Sequence, residues 1–184
     1  MTNQDTTQQT TSTERDDLVE ALDKQRGFLR YAAGGITEDQ ARQRTTVSAL
    51  TLGGLVKHVT DVEAQWASFM VQGAAAAPDV DWDAVDWANP PPEVAAFQDS
   101  HRLLEGETLA DQLTRYEEVA AGTDQLVREL DLETVQTLPS APWFEPGATW
   151  SVRRTVLHIL AETAQHAGHA DIVREALDGQ KTMG

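Results

Sequence analysis

Residues 149–178 read as one long helix, and the face of that helix constrains everything else in the chain. At about 100° per residue, with His158 as zero, Glu162 falls near 40°, His166 near 80° and His169 near 20°. All four share a stripe with Thr155, Ile159, Val173 and Leu177, so the stripe points into a core rather than into water. Ionisable side chains there are costly unless something pairs them. The rest of the chain must supply the partners.

Three further stretches carry the same helical period. Residues 14–33 place Leu18, Leu22, Leu29, Ala32 and Ala33 on one face, and Gly34-Gly35 stops the run. Residues 51–71 carry Leu55, Val62, Trp66 and Phe69 within about 80° of His58, which sits as a lone polar group on a buried face. Lys57, Asp61 and Ser68 lie on the other side. From Thr108 to Asp131, Leu113, Tyr116, Ala120, Thr123, Leu126 and Leu130 continue the pattern. Thr37-Glu38-Asp39-Gln40 has the form of a capping box and opens a short helix to about residue 44. No strand is expected. Four long helices without a sheet make an antiparallel four-helix bundle the economical fold, occupying 14–184 as one domain behind a disordered polar tail at 1–13.

Two connections are long. Residues 73–107 hold Trp82 and Trp87, Pro90-Pro91-Pro92 and a short helix near 93–103; the tryptophans either roof a pocket or pin the loop to the helices. Residues 132–148, with Pro139, Pro142, Pro146 and Gly147, are expected to lack regular structure, and Thr149 to cap the last helix.

Composition narrows the function. The net charge of −16 excludes a nucleic-acid backbone as partner and disfavours anionic membrane surfaces. No apolar run suggests a membrane span, and the polar N-terminus is no secretory signal, so the expected location is the cytoplasm. With no cysteine, disulfides, thiolate ligands and a protein thiol nucleophile are all excluded, and any thiol must come from outside. Arg outnumbers Lys eleven to three, a bias typical of GC-rich genomes. Phosphate-loop, H-E-x-x-H and Gly-x-Ser-x-Gly patterns are absent, and Asp79, Asp81 and Asp83 lack the Gly and closing Glu of a calcium loop.

Glu162 and His166 are four apart, hence neighbours on a helix surface. With His58 from a facing helix they offer two imidazole nitrogens and one carboxylate oxygen. That donor set is the one used by catalytic zinc with a position left for water or substrate. It also suits nickel, iron or manganese, and a buried polar network without metal is the alternative. His158 and His169 compete for the same role. Either can orient a ligand or carry a proton; we read His169 in that role and His158 as scaffold.

The stretch Leu52-Gly53-Gly54-Leu55-Val56-Lys57-His58 through Trp66 resembles the DinB/YfiT-like superfamily of metal-binding four-helix bundles. So do Thr149 to Arg154, His158 to Asp171 and the closing Arg174-Glu175-Ala176-Leu177-Asp178-Gly179. The resemblance implies a divalent ion, zinc or nickel, on His58, Glu162 and His166. A glutamate at 162, where many members have histidine, resembles the branch of mycothiol-dependent maleylpyruvate isomerase and related thiol transferases. That enzyme has a further C-terminal domain, whereas this chain ends fifteen residues after His169. The resemblance therefore carries the metal site and not the substrate. It implies an S-transferase in detoxification or stress. Mycothiol or a similar thiol would be activated as a metal thiolate for attack on an electrophile, with His169 relaying a proton and Trp66, Trp82 and Trp87 shielding the site. Two alternatives stand beside it: a non-catalytic helical stress or interaction protein, and a hydrolase using bound water. Bundles of this kind often form homodimers, and no residue marks an interface.

Overall fold

The computed structural model describes residues 3–78 and 80–182. Helices α1 (Asn3–Ala33), α2 (Glu38–Arg42), α3 (Leu52–Gln72), α4 (Pro92–Asp99), α5 (Leu109–Glu129) and α6 (Val152–Asp178) make it mostly helical. Short 3-10 turns follow at Gly73–Ala76 and Trp82–Ala84. Strands β1 (Val135–Thr137) and β2 (Thr149–Ser151) form a small antiparallel pair with Gln136 opposite Trp150.

Helix starts are set by hydroxyl caps. Thr37 closes a full capping box with Gln40, and Thr51 and Thr108 accept from the backbone N–H of Gly54 and Asp111. The last helix starts two residues later than the pattern predicts. Its cap is Ser151, which accepts from Arg154 N–H, because Thr149 and Trp150 are taken up by backbone pairing in β2. The expectation of no strand is corrected by the same pairing, which also orders part of the 132–148 connection. At the other end, α1 has helical backbone from Asn3, where composition predicts an unstructured tail. Residues 3–13 contain no Gly or Pro to stop propagation, and extending a formed helix costs far less than starting one.

The four long helices pack as α1 on α6, α3 on both α5 and α6, and α1 on α3 and α5. Their buried faces form two apolar clusters. One centres on Leu29, Leu55, Val59, Tyr116, Ala167 and Ala170, the other on Leu22, Met70, Val127, Val156 and Ile159. A polar layer separates them on every helix. Arg26 lies between Leu22 and Leu29, Glu63 between Val59 and Met70, Thr123 and Asp124 between Tyr116 and Val127, and Thr163 between Ile159 and Ala167. Arg26 and Glu63 have fully buried side chains and pair with each other, and Arg26 Nη1 donates to Asp124 Oδ1 at 2.8 Å.

Where α3 begins, two glycines let the segment after α4 lie directly against the helix. A Cβ on Gly53 would stand 2.4 Å from Leu103 Cδ1, and one on Gly54 would stand 2.0 Å from the His101 carbonyl oxygen. This contact lies one turn before His58. It brings Ser100 and His101 onto the face that α3 turns to α6.

Candidate functional site

His58 from α3 and Glu162 and His166 from α6 converge as their periodicity predicts. One donor atom from each lies within 4.8 Å of the others. Glu162 sits between two imidazoles of its own helix, with His166 Nε2 at 3.6 Å and His158 Nε2 at 3.9 Å from its oxygens. Donors on bonds of about 2.1 Å stand about 3.4 Å apart around a tetrahedral ion; the 3.6 Å between Glu162 and His166 is close to that, and the separations of up to 4.8 Å must shorten by at most about 1.4 Å. Two imidazoles and a carboxylate are a donor set that a divalent ion accepts.

His58 is not alone on its face. Its ring stacks on His101 at 3.8 Å between centroids, and its Nδ1 lies 3.0 Å from Ser100 Oγ. Ser100 has one hydroxyl hydrogen and donates it to the Phe97 carbonyl at 2.8 Å. Its oxygen can therefore only accept from His58 Nδ1, and likewise from His101 Nδ1 at 3.2 Å. Hydrogen-bond counting thus assigns both rings the Nδ1–H tautomer and leaves both Nε2 lone pairs free. Neither Ser100 nor His101 belongs to a periodic pattern. Only residue type could have flagged them.

His169 lies beside His166, Nδ1 to Nδ1 at 3.5 Å, and neither is among the residues lining the adjoining cavity. His158, expected as scaffold, does line it, with its ring edge-on to Trp66 and Trp150. The cavity has a volume of about 760 Å³ and opens from His58, His101, His158 and Glu162 toward the two long connections. Trp66 and Trp82 contribute to its wall; Trp87 stands outside, 59% exposed and stacked at 6.5 Å on Trp82. Trp143 and Phe144 complete the wall from the Pro-rich connection, held there by Trp82 Nε1 donating to the Ser140 carbonyl at 3.2 Å. An aromatic pair inside a proline-rich segment carries no periodicity, and sequence reasoning missed it.

The imidazoles are held neutral. Burial, with His101 and His166 adding repulsion, pushes His58 down to about 3. Burial also lowers His101, His158 and His166, against the opposing pull of Glu162 on the last two. A histidine depressed in the folded state binds its proton more readily when unfolded. The stability it contributes is therefore complete above about 6.5, the unfolded value, and is lost as pH falls toward the folded one. Metal-free protein is expected to lose midpoint temperature steadily between pH 7 and 5, before carboxylates titrate, and His58→Asn to flatten that slope. Thermal melts across this range check it.

Among the described residues, no helix is long and apolar enough to cross a membrane. Helical packing around this His-Glu-His cluster defines the DinB/YfiT-like class of protein. A profile of the family Mycothiol-S-transferase matches residues 17–179, and the chain belongs to that family. Among solved structures, it is similar to one described as the conserved protein of locus from Enterococcus faecalis, with TM-score 0.58 and 16% identity over 90% of this chain and 97% of that one. That likeness speaks for the fold. No curated protein matches the chain.

Proposed function

We propose that the protein is a metal-dependent thiol S-transferase of the cytoplasm, built on an antiparallel four-helix bundle, which joins mycothiol or a similar thiol to an electrophile. The observation that carries this reading is the convergence of His58, Glu162 and His166, the first two of which line a large cavity, in a chain of this family. A divalent ion there, zinc in the first place and nickel in the second, would supply Lewis-acid deprotonation of the incoming thiol. His58 and His166 serve as neutral donors at physiological pH because burial keeps them unprotonated. Glu162 brings the single negative charge. Ser100 holds the His58 ring with its Nε2 free, and His169 holds His166 from behind; both act through a ligand and are positioning residues. Trp66 and Trp82 exclude water, while Trp87 buttresses Trp82. Sulfur forms its bond to the electrophilic carbon, the thiol proton passes to water, and the leaving group departs with its electron pair.

Metal analysis of protein purified without chelators tests the first half, with about one equivalent of divalent ion expected. Conjugation of chlorodinitrobenzene by mycothiol tests the second. Rates equal with and without protein would refute the transferase, and turnover without any thiol would replace it by hydrolysis. Ser100→Ala is expected to keep the fold and weaken metal affinity about 10- to 100-fold, as loss of an orienting partner does. Competition against a chromogenic chelator reads this directly.

A further inference from the structure

The cavity carries information about what enters it. Six aromatic side chains face it: Trp66 and Phe69 from α3, Phe97 from α4, and Trp82, Trp143 and Phe144 from the connections. Phe97 and Trp143 are 60% and 58% exposed, so the apolar lining continues to the mouth. The charged groups of the wall are all acidic. Asp61 is paired with Arg115 at 2.6 Å, which leaves Glu93 and Glu162. Among the described residues that line the cavity, none is Lys or Arg.

We propose that this cavity selects neutral, extended aromatic electrophiles and rejects anionic ones. The volume of about 760 Å³ lies within the range that holds drug-sized ligands of several rings. Facing aromatic walls from a rigid helix and a clamped loop favour flat molecules, which gain offset or edge-to-face contacts on both sides. An anionic substituent would meet no guanidinium or ammonium. It would instead lie within several ångströms of a carboxylate in a partly desolvated space, where like charges cost at least about 10-fold in affinity. A divalent ion leaves no spare charge either, once Glu162 and a thiolate have balanced its two. The proposal rests on the transferase reading for the word electrophile, and its binding test does not.

The test uses two probes that differ by one sulfonate, phenylnaphthylamine (neutral) and anilinonaphthalene sulfonate (anionic). Each is titrated into the full-length protein, either metal-free or with zinc and saturating mycothiol, by tryptophan quenching and probe emission. At about 0.5 M salt the long-range field of the net charge is screened, and only local lining discriminates. The neutral probe is expected to bind at least about 10-fold more tightly; equal affinity, or preference for the sulfonate, overturns the proposal. Hydrophobicity alone is excluded by Glu93→Arg, which is expected to tighten the anionic probe at least about 5-fold and leave the neutral one unchanged. No change for the anionic probe overturns the charge argument. Trp143→Ala, an exposed position, is expected to weaken the neutral probe about 10-fold without lowering the melting temperature; unchanged affinity places the probe elsewhere and overturns the site. Charge selection in binding without any thiol conjugation would sink the transferase reading and leave this proposal standing.

Discussion

Replacing His166 by alanine is expected to lower divalent-metal affinity by about 100-fold or more and mycothiol-dependent turnover by about a thousandfold, with little change in the fold. The reason for so large an effect is that two contributions disappear together. A cysteine-type thiol with a pKa of about 8.5 is only a few per cent thiolate at pH 7, so its deprotonation is worth about 30-fold. Holding the sulfur against the electrophile supplies the larger factor, because positioned reactants behave as if at very high concentration. Glu162→Ala should behave alike. His169→Ala, which removes only the support behind His166, should lose the about 10- to 100-fold typical of an orienting partner. Equilibrium metal binding and single-turnover rates on the same preparations separate these outcomes. Full activity in Glu162→Ala would end the metal-centred mechanism even if the protein bound zinc. Fold integrity is expected because His166 is only partly buried and belongs to neither apolar cluster.

Glu63→Ala is expected to have the largest effect on stability, about 3–5 kcal/mol. Glu63 and Arg26 are both fully buried, and truncating the carboxylate leaves the guanidinium with Asp124 as its remaining partner. For a chain of this size that loss corresponds to a fall of about 6–20 °C in midpoint temperature. Removing both charges, as in Arg26→Met with Glu63→Leu, should recover most of it, because well-packed apolar residues replace a buried pair at little net cost. Denaturant unfolding of the two single variants and the double variant gives the coupling between them. A double variant no more stable than Glu63→Ala would show that the layer does more than satisfy its own charges. Metal content is expected to be unchanged throughout, since neither residue is one of the donors or lines the cavity.

The histidines show how much of the site was legible. Period alone put Glu162, His166 and His169 on one face of α6 and His58 on the matching face of α3, and the first two meet His58 in space. Period alone could not rank His158 against His169. Both share the stripe, yet a residue one turn nearer the aromatic connections lines the cavity, while one near the other end stands behind His166. That difference depends on where the 73–107 and 132–148 connections cross the helices, which no local pattern encodes. Glu63 was invisible for a related reason. Its buried partner is contributed by another helix, 37 residues away.

What the sequence by itself determined is the set of long helices, the capping box that opens α2 and the faces the helices bury, because period, capping chemistry and apolar spacing act within a few residues. It also excluded nucleic acid and protein thiol chemistry, through a net charge of −16 and the absence of cysteine. Tertiary structure decided the rest. Backbone pairing in β2 moved the start of α6 to Ser151. Two glycines at the start of α3 admitted Ser100 and His101 beside His58. The connections brought Trp82, Trp143 and Phe144 over the donor cluster. Each of these depends on contact between segments far apart in the chain, and such contacts exist only once the helices have packed.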